Sequence, residues 1–211
     1  MTTKQIDFWK GPFGDQYTER NLSSEEDIKN RKQFWTGALQ VVYMHSQGNI
    51  PKDILEIGTG SGSNLSAINE IYKEMDQNIN FYATEINEKA RAILKVNLPA
   101  VTLVENLSQT KEAFVDISFT YGVLIHTHPA HRLQLMREMY KASRRWIFCI
   151  EYFAPELRPI KYHGEDEMLW LDDYGSLWLD NFNVRSVTYT FCWKRISGLD
   201  NVTFWIFEKV N

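Results

Sequence analysis

Asp53-Ile54-Leu55-Glu56-Ile57-Gly58-Thr59-Gly60-Ser61-Gly62-Ser63-Asn64 is the stretch that decides how this chain folds. A short apolar run ends in an acid, and three glycines then alternate with small residues. From Leu65 to Met75 the apolar residues recur at helical spacing, so the pattern predicts a strand, a glycine turn and a helix. Glycine lets the backbone approach a ligand that a Cβ atom would exclude, and the helix N-terminus adds free N–H groups.

The spacing of the glycines distinguishes a dinucleotide-binding turn from a turn that binds a different cofactor. A dinucleotide turn would place its third glycine at position 63, where this chain has Ser63. The sequence instead reads Glu-x-Gly-x-Gly-x-Gly, which resembles the first motif of class I S-adenosylmethionine (SAM) methyltransferases. That resemblance implies that Glu56 faces an ammonium group and that the helix start after Gly62 faces a carboxylate. A tight strand–helix turn without any ligand is the alternative interpretation.

Composition sets the broad class of protein. The 211 residues are 44% hydrophobic, which is enough for one domain, 1–211, with a sizeable core. No apolar run is long enough for a membrane span, the first residues lack a signal-peptide pattern, and Cys149 and Cys192 form no Cys-x-x-Cys pair. We therefore expect a cytoplasmic protein without a membrane partner. The net charge of -4 and the absence of a long basic run argue against a nucleic acid partner.

Alternating strands and helices follow the glycine turn. A second strand, 80–85, ends in an acid, Glu85, which is placed to accept both ribose hydroxyls of a nucleoside; a solvated strand end is the alternative. Further strands are predicted at 100–104, 114–122 and 145–153, with a helix over 129–143. Segment 155–181 breaks the alternation and is interpreted as an insertion on the site face. Strands 184–193 and 202–209 then form an antiparallel hairpin.

The N-terminal segment, 1–48, precedes this alternation. Residues 8–21 are rich in glycine and aromatic residues and are predicted to be irregular. Ser23 is predicted to cap the next helix, with Glu26 completing a capping box. We expect segment 1–48 to fold across the mouth of the sheet as a lid; surface padding is the alternative.

The predicted fold is α/β and Rossmann-like, as in class I methyltransferases. Its seven-stranded sheet is mostly parallel, with an antiparallel C-terminal hairpin strand and helices on both faces. Ligands of such sheets bind outside the carboxyl ends of the strands. The predicted cofactor-binding residues lie there: Glu56, Gly58, Thr59, Gly60, Gly62, Asn64, Glu85, Ile86, Asn106, Leu107 and Gly122. Asn106 and Leu107 are assigned to adenine by position alone.

Four further segments carry a resemblance, and the first two are more specific than the glycine motif. They read Phe8-Trp9-x-Gly11-x-Phe13-Gly14-Asp15-x-Tyr17-x-x-Arg20-Asn21, Gly122-Val123-Leu124-Ile125-His126-x-x-Pro129, Glu151-Tyr152-Phe153 and Phe204-Trp205-Ile206-Phe207-Glu208-Lys209. With the glycine motif, they resemble the methylases associated with pseudaminic acid biosynthesis. The resemblance implies methyl transfer from SAM, which becomes S-adenosylhomocysteine (SAH), to oxygen or nitrogen of a nonulosonic sugar or its nucleotide-activated precursor.

Methyl transfer needs alignment above all, and a hydroxyl acceptor also benefits from a base. His126 is the first candidate base, because it follows the fourth strand; an orienting role is an equal alternative. His128 and Glu151 are second candidates. His126, His128 and His131 lack a companion acid cluster, so no metal site is predicted. Residues of the lid and the insertion are assigned to the acceptor: Tyr17, Arg20, Asn21, Tyr162 and His163.

Other classes of function remain open at this point. A methyltransferase for another small metabolite, or for nucleic acid or protein, is the first alternative. The segment Ile125-His126-Thr127-His128-Pro129 stands where base or glutamine methylation would use Asn/Asp-Pro-Pro-aromatic. A nicotinamide oxidoreductase is disfavoured by Ser63, and a SAM-binding module without activity stays possible. The sequence does not indicate the oligomeric state.

Overall fold

The computed structural model describes residues 3–210. A strand, a glycine turn and a helix form at its centre, as the sequence predicts. The helices are α1 (Lys4–Lys10), α2 (Pro12–Arg20), α3 (Glu25–His45), α4 (Ser63–Glu74), α5 (Glu88–Asn97), α6 (Pro129–Ala142), α7 (Tyr174–Asn181) and α8 (Lys194–Ser197). The strands are β1 (Asp53–Ile57), β2 (Asn80–Thr84), β3 (Thr102–Leu103), β4 (Val115–Tyr121), β5 (Ser143–Glu151), β6 (Arg158–Tyr162), β7 (Glu165–Leu171), β8 (Val184–Cys192) and β9 (Val202–Lys209).

Seven strands form one sheet in the order β3-β2-β1-β4-β5-β9-β8. The first five run parallel, and β9 is antiparallel to both of its neighbours. The order reverses at β1, so the carboxyl ends of β1 and β4 flank a topological switch point. Ligands of open α/β sheets bind at such a point. The predicted fold, including its single antiparallel strand beside the edge, is confirmed.

Two apolar cores cover the two faces of the sheet. Side chains of α3, α4 and α5 fill one core, in which Trp35 and Ile68 are fully buried. Side chains of α6 and α7 fill the other, around Met136 and Trp178. Along β1, Ile54 faces the first core and Leu55 the second, because successive residues of a strand point to opposite faces. Helices therefore lie on both faces, as predicted. No helix within residues 3–210 has the length and apolar character of a membrane span.

The N-terminal segment differs from its prediction. Residues 8–21 are helical, because Gly11 ends α1 and Pro12 opens α2 at a position that favours proline. The cap of α3 is also shifted by one residue: Ser24, with Asp27, forms the capping box that was expected of Ser23 and Glu26. An aromatic-rich, glycine-containing segment was thus wrongly interpreted as irregular.

Segment 155–181 is more ordered than its composition suggests. Strands β6 and β7 form an antiparallel hairpin, separate from the main sheet, and α7 follows. His163 and Gly164 connect the strands, with φ angles of 49° and 89°. Two successive residues with positive φ suit the tight turn of a two-residue hairpin.

Candidate functional site

The glycine turn leaves one face of its backbone uncovered. Gly58, Gly60 and Gly62 have φ angles of 62°, 57° and 86°, a region that glycine occupies readily. A Cβ atom on Gly58 would lie 2.8 Å from Val123 Cγ2, and one on Gly62 would lie 2.5 Å from Leu94 Cδ1. A Cβ atom on Gly60 would meet nothing within 4 Å. Packing therefore requires Gly58 and Gly62, whereas Gly60 borders open space.

Glu56 lies beneath the turn and is only 2% exposed. Its Oε2 accepts a hydrogen bond from Thr59 Oγ1 at 2.6 Å, and its Oε1 accepts one from Asn64 Nδ2 at 2.7 Å. Burial raises the pKa of this carboxyl to about 7, against the effect of those two bonds. Both oxygens are thus engaged in holding the turn to the start of α4. Glu56 thus braces the turn, and the ammonium contact that the resemblance implies for it stays a prediction.

Asn64 connects that brace to α3. Its Oδ1 accepts from Arg31 Nη1 at 2.6 Å and from Trp35 Nε1 at 3.2 Å. The network of Glu56, Asn64, Arg31 and Trp35 therefore fixes the N-terminal helix against the glycine turn. Sequence reasoning missed Arg31, because nothing local to α3 indicates that Arg31 reaches Asn64, which lies 33 residues away.

Glu85 follows β2 and faces the open side of the turn. Its Oε2 accepts from the Gly60 N–H at 2.6 Å, and its Oε1 accepts from the Asn87 N–H at 2.8 Å. Burial raises the pKa of the Glu85 carboxyl. The next side chain, Ile86, is 40% exposed. Among the predicted cofactor residues, Gly60, Glu85 and Ile86 are thus brought together at one open position.

The two residues assigned to adenine have local roles in the structure. Asn106 Oδ1 accepts from the Ser108 N–H at 3.1 Å and from Ser108 Oγ at 2.7 Å, which caps a short 3-10 turn, Leu107–Gln109. Leu107 packs in the second core and is 8% exposed. The amide oxygen of Asn106 is therefore already engaged.

The predicted base Glu151 is completely buried. Its Oε1 accepts from the N–H groups of Val123 and Leu124, each at 3.1 Å, and its Oε2 accepts from the Ile125 N–H at 3.2 Å. Burial raises its pKa to about 7, and the three N–H groups oppose that rise. Glu151 therefore anchors the turn after Gly122, and its role as a second candidate base stays a prediction that this burial disfavours.

That turn presents His126. The imidazole Nδ1 lies 2.6 Å from the Met168 carbonyl oxygen of β7. Because a carbonyl oxygen only accepts, Nδ1 carries the proton and Nε2 keeps its lone pair. Burial lowers the pKa of His126 to about 4, so the ring is neutral at pH 7. The tautomer is thus fixed with the lone pair on Nε2, and the lowered pKa makes this ring a weaker base than a free imidazole.

His128 has a structural task instead. Its Nδ1 accepts from the Ala130 N–H at 3.2 Å and caps α6, and its ring packs against Trp170 with a centroid separation of 5.5 Å. These contacts argue against His128 as the base. Within residues 3–210, no cluster of three or more His, Cys, Asp or Glu side chains is arranged to hold a metal ion.

The N-terminal helices meet the β6–β7 hairpin over His126. We call this group the aromatic lid, and its members are Trp9, Phe13, Tyr17, Tyr162 and His163. The Trp9 ring lies 4.8 Å from His126 and 5.1 Å from Tyr17, and the Phe13 ring lies 5.8 Å from Tyr162 and 5.4 Å from His163. The predicted acceptor residues Tyr17, Tyr162 and His163 are therefore brought together.

Polar contacts hold the lid in place. Gln5 Nε2 donates to the Glu167 carbonyl oxygen of β7 at 2.9 Å, and Asn87 Nδ2 donates to Asp15 Oδ1 at 2.8 Å. The other two predicted acceptor residues lie at its rim. Arg20 is exposed and places its guanidinium 5.8 Å from the Phe13 ring, and exposed Asn21 donates to the Tyr17 carbonyl oxygen at 2.7 Å.

The sequence matches no protein-family model and no curated protein sequence. Solved structures do resemble the chain. Magnesium protoporphyrin IX methyltransferase from Synechocystis PCC 6803, with bound SAM, aligns with a TM-score of 0.69 at 12% identity, over 99% of each chain. The Burkholderia thailandensis 1,6-didemethyltoxoflavin-N1-methyltransferase, bound to its substrate and SAH, gives 0.60 at 14% identity, over 90% of this chain and 92% of that one.

A plantazolicin methyltransferase, in complex with a desmethyl plantazolicin analogue and SAH, gives a TM-score of 0.62 at 9% identity, over 98% of this chain and 95% of that one. At such identities the similarity concerns the fold alone. The strand order, the antiparallel β9 and these neighbours agree: the chain has the Rossmann-like fold of the class I SAM-dependent methyltransferases.

Proposed function

We propose that this protein is an enzyme that transfers a methyl group from SAM to an oxygen or nitrogen atom of a small molecule. The observation that carries the proposal is the open position at Gly60, with Glu85 at its edge. The turn has no side chain there, and a carboxylate stands where a nucleoside would place its ribose.

The residues at this position fit SAM. Gly60 offers an uncovered backbone, Glu85 offers two acceptor oxygens for ribose hydroxyls, and exposed Ile86 offers an apolar surface for adenine. In this proposal Glu85 gives up its bond to the Gly60 N–H when the nucleoside binds. Solved neighbours of the same fold contain SAM or SAH, which supports the choice of cofactor.

SAM would supply an electrophilic methyl group on a sulfonium, and this chain's residues do the rest. His126 accepts the proton of an acceptor hydroxyl at Nε2, since its Nδ1–H is committed to Met168. The N-terminal segment, 1–48, and the insertion, 155–181, close over the site through the aromatic lid and exclude water. Proximity and alignment then contribute much of the rate.

The acceptor enters, in this proposal, through a groove of about 460 Å³ at the carboxyl end of β5. Tyr152, Phe191, Lys194 and Asp200 are among its lining residues, so the groove combines aromatic surface with both signs of charge. That combination suits a polar small molecule. The resemblance of the N-terminal and Gly122–Pro129 segments to methylases of pseudaminic acid biosynthesis favours a nonulosonic sugar or its nucleotide-activated precursor.

We also place this reaction in the cytoplasm. Cys149 and Cys192 are free and buried, which fits a reducing compartment.

Turnover of methyl-labelled SAM tests the proposal. The acceptors to compare are nonulosonic sugars, their nucleotide-activated forms and tRNA, with NAD titrated in parallel against SAM by calorimetry. Label in a sugar product supports the proposed acceptor, and label in tRNA assigns a nucleic acid acceptor instead. Binding of NAD without binding of SAM would refute the methyltransferase assignment.

A further inference from the structure

Arg31 is a cation without an anionic partner at the edge of the glycine turn. Its Nη1 donates to Asn64, a neutral amide, and its Nε is buried with no hydrogen-bond partner. The salt bridges formed among residues 3–210 do not include Arg31. Glu56 lies on the far side of Asn64, with both oxygens already engaged. The guanidinium therefore keeps an unsatisfied N–H and an unpaired charge.

A second unpartnered group stands beside it. The Arg31 guanidinium carbon lies 5.0 Å from the centroid of the Tyr121 ring, and Tyr121 Oη is buried with no hydrogen-bond partner. Tyr121 is the last residue of β4, and it packs against the core that α3 covers. Two donors from different elements thus converge near the carboxyl edge of the sheet.

The two unpartnered groups, on Arg31 and Tyr121, indicate the class of ligand that would bind them. A buried donor without a partner and a guanidinium without a counter-ion both cost stability, so a protein rarely keeps them without use. A planar anion with two oxygens satisfies both, since it accepts from the Arg N–H and from the Tyr hydroxyl at once. The ligand chemistry is therefore that of a carboxylate.

We propose that Arg31 and Tyr121 bind the carboxylate at the amino-acid end of SAM and SAH. The inference rests on the proposed function, because it assumes a SAM site at the glycine turn. We assign the carboxylate to the methyl donor rather than to the acceptor because Arg31 donates a hydrogen bond to Asn64. Asn64 lies in the first turn of α4, directly after Gly62. The N-terminus of that helix adds a second attraction for a negative group.

The test compares SAH with 5′-methylthioadenosine, which has the same nucleoside and thioether but no amino-acid end. Calorimetry would measure both ligands on the wild type, Arg31→Gln, Tyr121→Phe and Lys32→Gln. Arg31→Gln retains an N–H group for Asn64 but removes the charge. Lys32→Gln removes a neighbouring charge that pairs with Glu74 on the surface, so it is the matched control.

Arg31→Gln should weaken SAH about 10- to 100-fold, the cost of a charge-assisted hydrogen bond, and leave methylthioadenosine within about twofold. Tyr121→Phe should weaken SAH by less, about 2- to 10-fold, since its hydroxyl is neutral. Lys32→Gln should bind both ligands like the wild type. Thermal unfolding checks that each variant is folded. If Arg31→Gln is not, Arg31→Lys replaces it; because Lys keeps the charge and loses only the planar guanidinium, a smaller loss of SAH affinity is expected, with methylthioadenosine again unchanged.

Three results would overturn the inference. If a folded Arg31→Gln variant bound SAH with unchanged affinity, Arg31 would not bind the carboxylate of SAH. If the same variant bound the methyl acceptor more weakly, Arg31 would bind an anionic group of the acceptor instead. Equal losses for SAH and methylthioadenosine show that Arg31 only positions Asn64 and the turn. A wild type that binds neither ligand refutes the proposed function itself.

Discussion

A bulky side chain at position 60 should weaken cofactor binding much more than it destabilises the fold. A Cβ atom at this position meets no protein atom within 4 Å, so a side chain collides with no neighbouring residue. The cost of Gly60→Ala or Gly60→Leu is that of the backbone, because φ is 57°. That cost is about 1–2 kcal/mol for a non-glycine residue, or a fall in Tm of several degrees at about 2–4 °C per kcal/mol.

Ligand binding should respond quite differently. Both variants have the same backbone strain, but Leu fills the space that the nucleoside would use. We expect Gly60→Leu to bind SAH about 10- to 100-fold more weakly than Gly60→Ala, the range for overfilling a packed site. Calorimetry measures the affinities, and thermal unfolding measures the stabilities.

Gly48 provides the matched control. It has a φ angle of 86° but precedes β1, at the opposite end of the strand from the turn. Gly48→Ala should lower Tm about as much as Gly60→Ala does and leave SAH affinity unchanged. If folded Gly60→Leu bound SAH as tightly as Gly60→Ala, the open position would not be the cofactor site.

Three further predictions concern the base and the turn that presents it. His126→Ala should lower turnover of a hydroxyl acceptor by about 10²- to 10⁴-fold and change SAH affinity little, since the ring acts as a general base; undiminished turnover in steady-state kinetics would exclude that role. Glu151→Gln should destabilise the protein by about 1–3 kcal/mol, because an amide offers one acceptor oxygen fewer to the N–H groups of residues 123–125. Chemical denaturation measures this loss, and turnover should fall with it, whereas a stability equal to the wild type would contradict the anchoring role. Finally, acidification from pH 6.5 to pH 4 should lower the free energy of unfolding by up to about 3 kcal/mol through His126. The ring binds a proton at its ordinary pKa of 6.5 in the unfolded state but only at about 4 in the folded state. The pKa values of Glu56 and Glu151 are raised to about 7, so protonation of these two carboxyls stabilises the folded protein over the same pH range. The effect of His126 is therefore isolated by comparing the wild type with His126→Asn. If the free energy of unfolding changed equally with pH in the two proteins, a buried neutral ring would be contradicted.

Local patterns predicted the elements that depend on their own residues. The glycine turn follows from its three glycines, and the limits of β9, Val202–Lys209, match the predicted strand. The N-terminal helices were missed because the aromatic residues suggested an irregular segment, although Gly11-Pro12 is a pair that ends one helix and starts another. The hairpin β6–β7 was missed because β6 is largely exposed and the first three residues of β7 are exposed acids, which do not give the alternating pattern of a strand.

A site residue could be predicted from the sequence where its role follows from its position at the carboxyl end of a strand. Glu85 lies beside Gly60 because both follow adjacent parallel strands. The roles of Glu151, His128 and Arg31 depend on contacts between distant segments, such as the one from Glu151 to the N–H groups that follow Gly122. A single sequence contains no local signal for those pairings, so the anchoring contacts of Glu151 and the unpaired guanidinium of Arg31 went unnoticed.

A crystal structure of the protein with SAH tests the central claim most directly. The account predicts the nucleoside over Gly60, with the Glu85 carboxylate turned from the Gly60 N–H to the ribose hydroxyls. A glycine turn left empty at saturating SAH, or SAH bound elsewhere in the protein, would contradict it.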